Sequence, residues 1–254
     1  VIFNFGQDSS FAGEETAQGN QDDNEIGDFY YTVPADYLAL CTANLPEPTV
    51  IPSEHFQTIV YDDGAGAKTG VGFQPDMIWL KSRGSAYEHE LTDAVRGVTK
   101  AISSDSNNAE TTDSTGLTAF GADGFTVGAD TNYADTTGDG MVAWNWLAGN
   151  ETLGTGDFTQ GTIASTCSRN VDAGFSIVSY TGNATAGATV GHGLSKAPQM
   201  VITKQRANSG GWQVLINTPT DYSEGDYFYL NSNTAMANSA NVSFLPTATT
   251  WEMK

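Results

Sequence analysis

Short apolar and β-branched runs, bounded by Gly, Asp, Asn, Ser and Thr, recur along the chain, and in many of them apolar and polar residues alternate. A period of two is that of a strand whose two faces meet different surroundings. The pattern predicts strands over 56–61, 77–81, 87–91, 124–127, 141–147, 174–180, 199–204, 212–217 and 227–230. No stretch of helical length keeps apolar residues at i, i+3, i+4 and i+7 without a Gly interrupting it, so little helix is expected. In 87–91, Glu88 and Glu90 alternate with Tyr87, His89 and Leu91, which predicts one wet face and one half-buried face. Its counterpart at 212–216 is more apolar throughout.

One pattern occurs twice. Phe56-Gln57-Thr58-Ile59-Val60-Tyr61 is matched by Phe175-Ser176-Ile177-Val178-Ser179-Tyr180, and Pro75-Asp76-Met77-Ile78-Trp79-Leu80-Lys81-Ser82-Arg83 by Pro198-Gln199-Met200-Val201-Ile202-Thr203-Lys204-Gln205-Arg206. The second copy carries four extra residues between the Tyr and the Pro, the mark of a loop insertion. Self-similarity of this kind points to duplicated structural units and to a scaffold or binding role rather than to one catalytic cleft. After each first strand, Asp62-Asp63-Gly64-Ala65-Gly66 and Thr181-Gly182-Asn183 supply residues that tolerate positive φ, so each copy is expected to open with a hairpin.

The predicted fold class is all-β, with tandem antiparallel β-sandwich units of jelly-roll type. The expected organisation is a remnant closing an upstream sandwich over 1–46, with Val1 to Phe5 as its closing strand, and a Pro-rich linker over 47–54 containing Pro48 and Pro52. Unit one follows over 55–149, a Gly/Thr/Ser-rich spacer over 150–172, and unit two over 173–254, with no counterpart of 141–147 in the second copy. The chain is therefore expected to be a piece of a longer protein, with open sheet edges that pair in a homo-oligomer.

Charge narrows the partners. Asp and Glu number 30 against 10 Lys and Arg, a net charge of -20, which repels phosphate backbones and anionic membrane faces. Nucleic acid is not an expected partner. No apolar run approaches the roughly 18 residues of a membrane helix, and membrane insertion is not expected. Cys41 and Cys167 lie far apart and make neither a metal pattern nor a disulfide framework. With so few cations, the repeated Lys81 and Lys204 are expected to face carboxylates.

Candidate chemistry is sparse. His89 with Asp93 can be drawn as a general base and its orienter, yet the second copy has Gln213, Leu215 and Asn217 on that strand, and an Asp93 to Arg96 contact is the better expectation. No catalytic residue is assigned, and the chain is read as non-enzymatic. His55 and His192 have no ligand-spaced partners, so no cofactor or metal site is assigned. Acidic loops at Asp62-Asp63-Gly64, at 135–140 and at 21–25 offer oxygen ligands of the kind calcium uses, but a solvated turn explains them more simply. Trp144 and Trp146, two apart, share a strand face, and with Trp212 they are the candidate binding residues, because tryptophan rings stack on sugars. Packing in a small β core is the competing account.

The stretches Asn4-Phe5-Gly6-Gln7, Gly27-Asp28-Phe29-Tyr30-Tyr31 and Tyr37-Leu38-Ala39-Leu40-Cys41, with Gly72-Phe73-Gln74-Pro75-Asp76 and Val142-Ala143-Trp144-Asn145-Trp146, resemble a family of bacteriophage proteins, many from marine phages. In that family a SPRY or concanavalin-like sandwich is followed by tandem β repeats. The resemblance implies a virion-surface, extracellular protein: a tail fibre, appendage or decoration component, partnered by other virion proteins and by host-surface glycan. Two alternatives stay open, a lectin-like carbohydrate-binding module and a polysaccharide depolymerase.

Overall fold

A computed structural model describes residues 4–46, 48–216, 225–239 and 246–252. The chain divides into two compact units, Val1–Thr49 and Val50–Lys254. In the first, turns and hydrogen-bonded carboxylates do the work of a sheet. Asp22 accepts the N–H groups of Asn24, Ile26 and Ala39 and the Asn44 amide. Asp28 accepts the backbone and hydroxyl of Ser9. Of the expected closing strand, residues 1–3 lie outside the described residues, while Asn4 closes a turn by accepting the N–H groups of Gly6 and Gln7.

Among the described residues the second unit holds seventeen strands. Those of the first copy are β1 (Phe56–Tyr61), β2 (Gly66–Thr69), β3 (Met77–Ser82), β4 (Glu90–Asp93), β5 (Lys100–Ser103), β6 (Thr111–Thr112), β7 (Leu117–Gly121), β8 (Gly124–Val127) and β9 (Met141–Trp146). Those of the second are β10 (Ser165–Asn170), β11 (Phe175–Tyr180), β12 (Thr189–Gly191), β13 (Met200–Thr203), β14 (Gln213–Ile216), β15 (Asp226–Tyr229), β16 (Ala237–Asn238) and β17 (Thr250–Glu252). The helical elements among the described residues are two short 3-10 turns, Thr42–Asn44 and Pro52–Glu54. The architecture is all-β and antiparallel, as the alternation predicts.

In the first copy a six-stranded sheet, ordered β1-β9-β3-β4-β5-β6, faces a three-stranded sheet, β2-β8-β7. Ile78, Leu80, Met141 and Ala143 from the larger sheet meet Leu117, Phe125 and Val127 from the smaller one, with Tyr133 closing the core. The expected opening hairpin does not form. β1 pairs with β9 and β2 with β8, so the Asp62 to Ala65 segment crosses between sheets. Lys68 fixes that crossing: its buried ammonium donates to Asp63 and to the Gly64 carbonyl and lies 4.8 Å from the Tyr61 ring centroid.

The second copy repeats the pairing scheme. β13-β14-β15-β16 reproduces β3-β4-β5-β6, and β12 with β17 reproduces β2 with β8. The copies differ at the first strand. β1 takes β9 as its partner, whereas β11 takes β10, so the segment expected as a spacer over 150–172 supplies a sheet strand. Among the described residues, β11 and β13 share no strand between them as β1 and β3 share β9.

The copies are joined by specific contacts. The Trp212 indole donates to the Ser103 carbonyl at 2.9 Å. Glu110 accepts from Arg96 of its own copy at 3.1 Å and from Arg206 of the other through both carboxylate oxygens at 2.9 Å. Those guanidinium bonds outweigh burial, which alone would raise the Glu110 pKa, and hold it below the ordinary carboxylate value. The repeated lysines differ from expectation: Lys81 donates to the carbonyls of Ser85 and Tyr87, and Lys204 to that of Gln205. At this joint arginine takes Glu110 because its fork holds two oxygens at once.

Leu80 is fully buried between the sheets, whereas Val60 on β1 is 59% exposed. Leu80→Ala is expected to cost about 2–5 kcal/mol and Val60→Ala less than about 0.5 kcal/mol. Urea denaturation measures both, and equal costs would contradict the assigned faces.

Candidate functional site

The larger sheet of the first copy has two unlike faces, set by pairing register. One row runs Ile59, Ala143, Leu80, Glu90 and Ser103, and the parallel row Gln57, Asn145, Ile78 and Thr92; both face the core. The intervening rows, Thr58, Trp144, Trp79 and Leu91, and Phe56, Trp146, Met77 and Asp93, lie on the opposite face. The tryptophans are therefore half-buried on the outer face and are not core residues. Trp79 and Trp144 meet edge to face at 6.0 Å. Trp146 is enclosed by Phe56 at 4.9 Å, Trp79 at 6.5 Å and Phe175 at 6.2 Å. Trp79 also donates its indole N–H to Ser104 at 2.8 Å.

This arrangement separates the three predicted tryptophans. Trp144 is half-buried and meets the Trp79 ring. Trp146 is its packed centre. Trp212 is 5% exposed and bound at the joint between copies, so it presents no ring to a ligand. Its place just before β14, rather than on the counterpart of β9, accounts for the difference.

On the core side of the same sheet lies a cleft of about 160 Å³, bounded by Glu88, Glu90, Ser103, Asp130, Asn132 and Tyr133. Glu90 is 4% exposed. Its Oε1 accepts from Ser103 at 2.9 Å and from Asn132 at 3.3 Å, while its Oε2 is buried with no partner. The Ser103 hydroxyl also lies 2.7 Å from Glu88 Oε2. A hydroxyl carries one proton, so both contacts are hydrogen bonds at once only when a carboxyl holds a proton too. Burial pushes Glu90 up to about 7, opposed by the Ser103 bond and reinforced by the charges of Glu88, Asp130 and Asp105.

Glu90 was expected on a wet face. The strand starts three residues later than its pattern predicts, at Glu90, because the carbonyls of Ser85 and Tyr87 are turned to Lys81. Pairing of Glu90 with Leu80 then turns the carboxylate inward. The signal in the sequence was the dense acid and His segment itself, but its direction depends on a partner strand.

The other candidates disperse. His89 meets Asp105, with Nε2 at 3.7 Å from Oδ2, while Asp93 binds Arg96 at 2.5 Å, so His89 and Asp93 form no pair. His192 is buried, accepting the Leu194 N–H at Nδ1 and donating from Nε2 to the Thr247 carbonyl; burial lowers its pKa. Asp135 accepts the N–H groups of Thr137, Gly138 and Gly140, and those bonds lower its pKa. Asp22 is likewise occupied, by Asn24, Ile26, Ala39 and Asn44. Among the described residues no three His, Cys, Asp or Glu groups converge as a metal site. Both cysteines are free, and burial raises the Cys167 thiol to about 11.

Residues 51–253 match the family described as a domain of unknown function, DUF7483, and the chain belongs to that family. No curated protein and no solved structure matches it. Among the described residues no helix is long and apolar enough to cross a membrane.

The titration of Glu90 has a signed consequence. Between the ordinary Glu value of 4.5 and about 7, the folded chain keeps a proton that the unfolded chain releases, so this group's contribution to stability falls as pH rises across that window. Glu90→Gln removes the loss. Urea melts are expected to show the variant more stable than wild type by on the order of 1–3 kcal/mol near pH 8 and equal to it near pH 4. A constant difference across that range would contradict the assignment.

Proposed function

We propose that this chain is a non-catalytic surface protein of a bacteriophage virion, a tail-fibre, appendage or decoration component, which engages host-surface glycan through the outer face of its first β repeat. The observation that carries the binding role is the row Thr58, Trp144, Trp79 and Leu91, which sets indole rings on the outside of a sheet whose core is filled from the other side. A sugar ring offers an apolar C–H face that stacks on an indole, and its hydroxyls keep their bonds to water. Exposed Val60 and Phe56 extend the apolar surface at the sheet edge. The acidic composition suits an extracellular partner that is neutral or cationic rather than phosphate-rich. The virion setting rests on the resemblance of the Asn4 to Gln7 and Tyr37 to Cys41 stretches and the repeat signatures. On that reading the chain assembles with copies of itself and with other virion proteins.

A glycan array followed by calorimetry on retained saccharides tests the binding role. Trp144→Ala is expected to weaken binding roughly tenfold or more, as loss of a stacking aromatic does, while Met236→Ala, an exposed residue beside β16 of the second copy, leaves it unchanged. Retention of no saccharide, or undiminished affinity in Trp144→Ala, would remove this reading.

A further inference from the structure

We propose that the cleft at Glu90 is a second binding site, for a primary ammonium group carried on a small hydroxylated molecule. It lies on the opposite side of the sheet from the aromatic rows and stands independently of them.

The argument begins with an unmet acceptor. Glu90 Oε2 is buried without a hydrogen-bond partner in a residue only 4% exposed, and an unsatisfied buried carboxylate oxygen is costly. The Glu90 side chain lines a cleft whose wall also carries Glu88, Asp113 and Asp130. Four carboxylates repel an anion and favour a cation. The protein's own nearby cations are engaged elsewhere: Arg96 on Asp93, Glu110 and the carbonyls of Leu91 and Lys100, and Lys100 on Thr112.

The type of cation follows from geometry. Calcium or magnesium needs oxygens converging on one point, and the described acids do not converge in that way. An ammonium carries three divergent donors, which suits acceptors spread along a wall, with Glu90 at its floor and Glu88 at its rim. Asn108, Asn132 and Thr111 in the same lining offer partners to hydroxyls. A volume of about 160 Å³ admits a small molecule only.

Occupancy by a cation favours the ionised form of Glu90, so affinity rises with pH through about 7. The groups facing Glu90 are Glu88 before β4, Asp105 after β5, Asp113 after β6, and Asp130 and Tyr133 after β8, with Arg96 acting on Tyr133.

Titration of the ¹⁵N-labelled chain with ethanolamine, followed by NMR, tests the site, with ethylene glycol as neutral analogue and calcium chloride as the metal control. Ethanolamine is expected to shift the signals of Asn132, Asn108 and Ser103, more strongly near pH 8 than near pH 6, and ethylene glycol is expected to leave them in place. Glu90→Gln, which removes a buried charge, is expected to weaken binding roughly tenfold, and Asp130→Asn, which keeps the acceptor for Asn132, by a smaller factor. Absence of shifts, equal shifts with ethylene glycol, unchanged affinity in both variants, or the same shifts produced by calcium at lower concentration would each overturn the proposal.

Discussion

Strand β9 must thread between β1 and β3, and both faces of the larger sheet depend on its register. Met141, Ala143 and Asn145 point into the core, and Val142, Trp144 and Trp146 point out. A shift of one residue would exchange the sets, driving indoles into space shaped for Ala143, which is fully buried. Asp76 holds the strand at its exit. Its N–H donates to the Trp146 carbonyl, and its Oδ2 accepts the N–H groups of Ala148 and Asn150. Burial of that carboxyl raises its pKa, and the same backbone bonds pull the other way. The core, the aromatic face and the inward turn of Glu90 thus share one geometric determinant.

The duplication has unequal consequences in the two copies. Pairing of the later strands repeats, but β10 flanks β11 where β9 joins β1 to β3. Glu110, gripped by Arg96 and Arg206, and the Trp212 bond to Ser103 tie one copy to the other. In a chain this acidic, cations occupy few positions, and Arg96 and Arg206 each sit where two carboxylate oxygens meet them. Among the described residues the ion pairs of Lys68, Arg96 and Arg206 all lie at crossings or joints.

Strand content and the repeat are legible in the sequence because alternation and self-similarity are local properties. β1 and β8 fall on their predicted limits, and β9 within one residue of its own. Partner choice is not local. The hairpin expected after Tyr61 gives way to a sheet crossing because β1 finds its partner some eighty residues later in the chain. The same limit governs the site: Trp144 and Trp146 are rightly placed on one face, but whether that face is core or surface is decided by Leu80 and Ala143 across the sheet. Trp212 fails as their companion for that reason, and Glu90 escapes notice because alternation gives two faces without saying which is inside.

The claim that the outer rows of the first repeat form the ligand-facing surface is tested most directly by the five indole N–H signals of the chain. With a retained oligosaccharide at saturation, the account predicts shifts of the Trp79, Trp144 and Trp146 indoles while those of Trp212 and Trp251, both buried, stay in place. Shifts confined to Trp212 or Trp251, or five unmoved signals with a saccharide demonstrably bound, would contradict it.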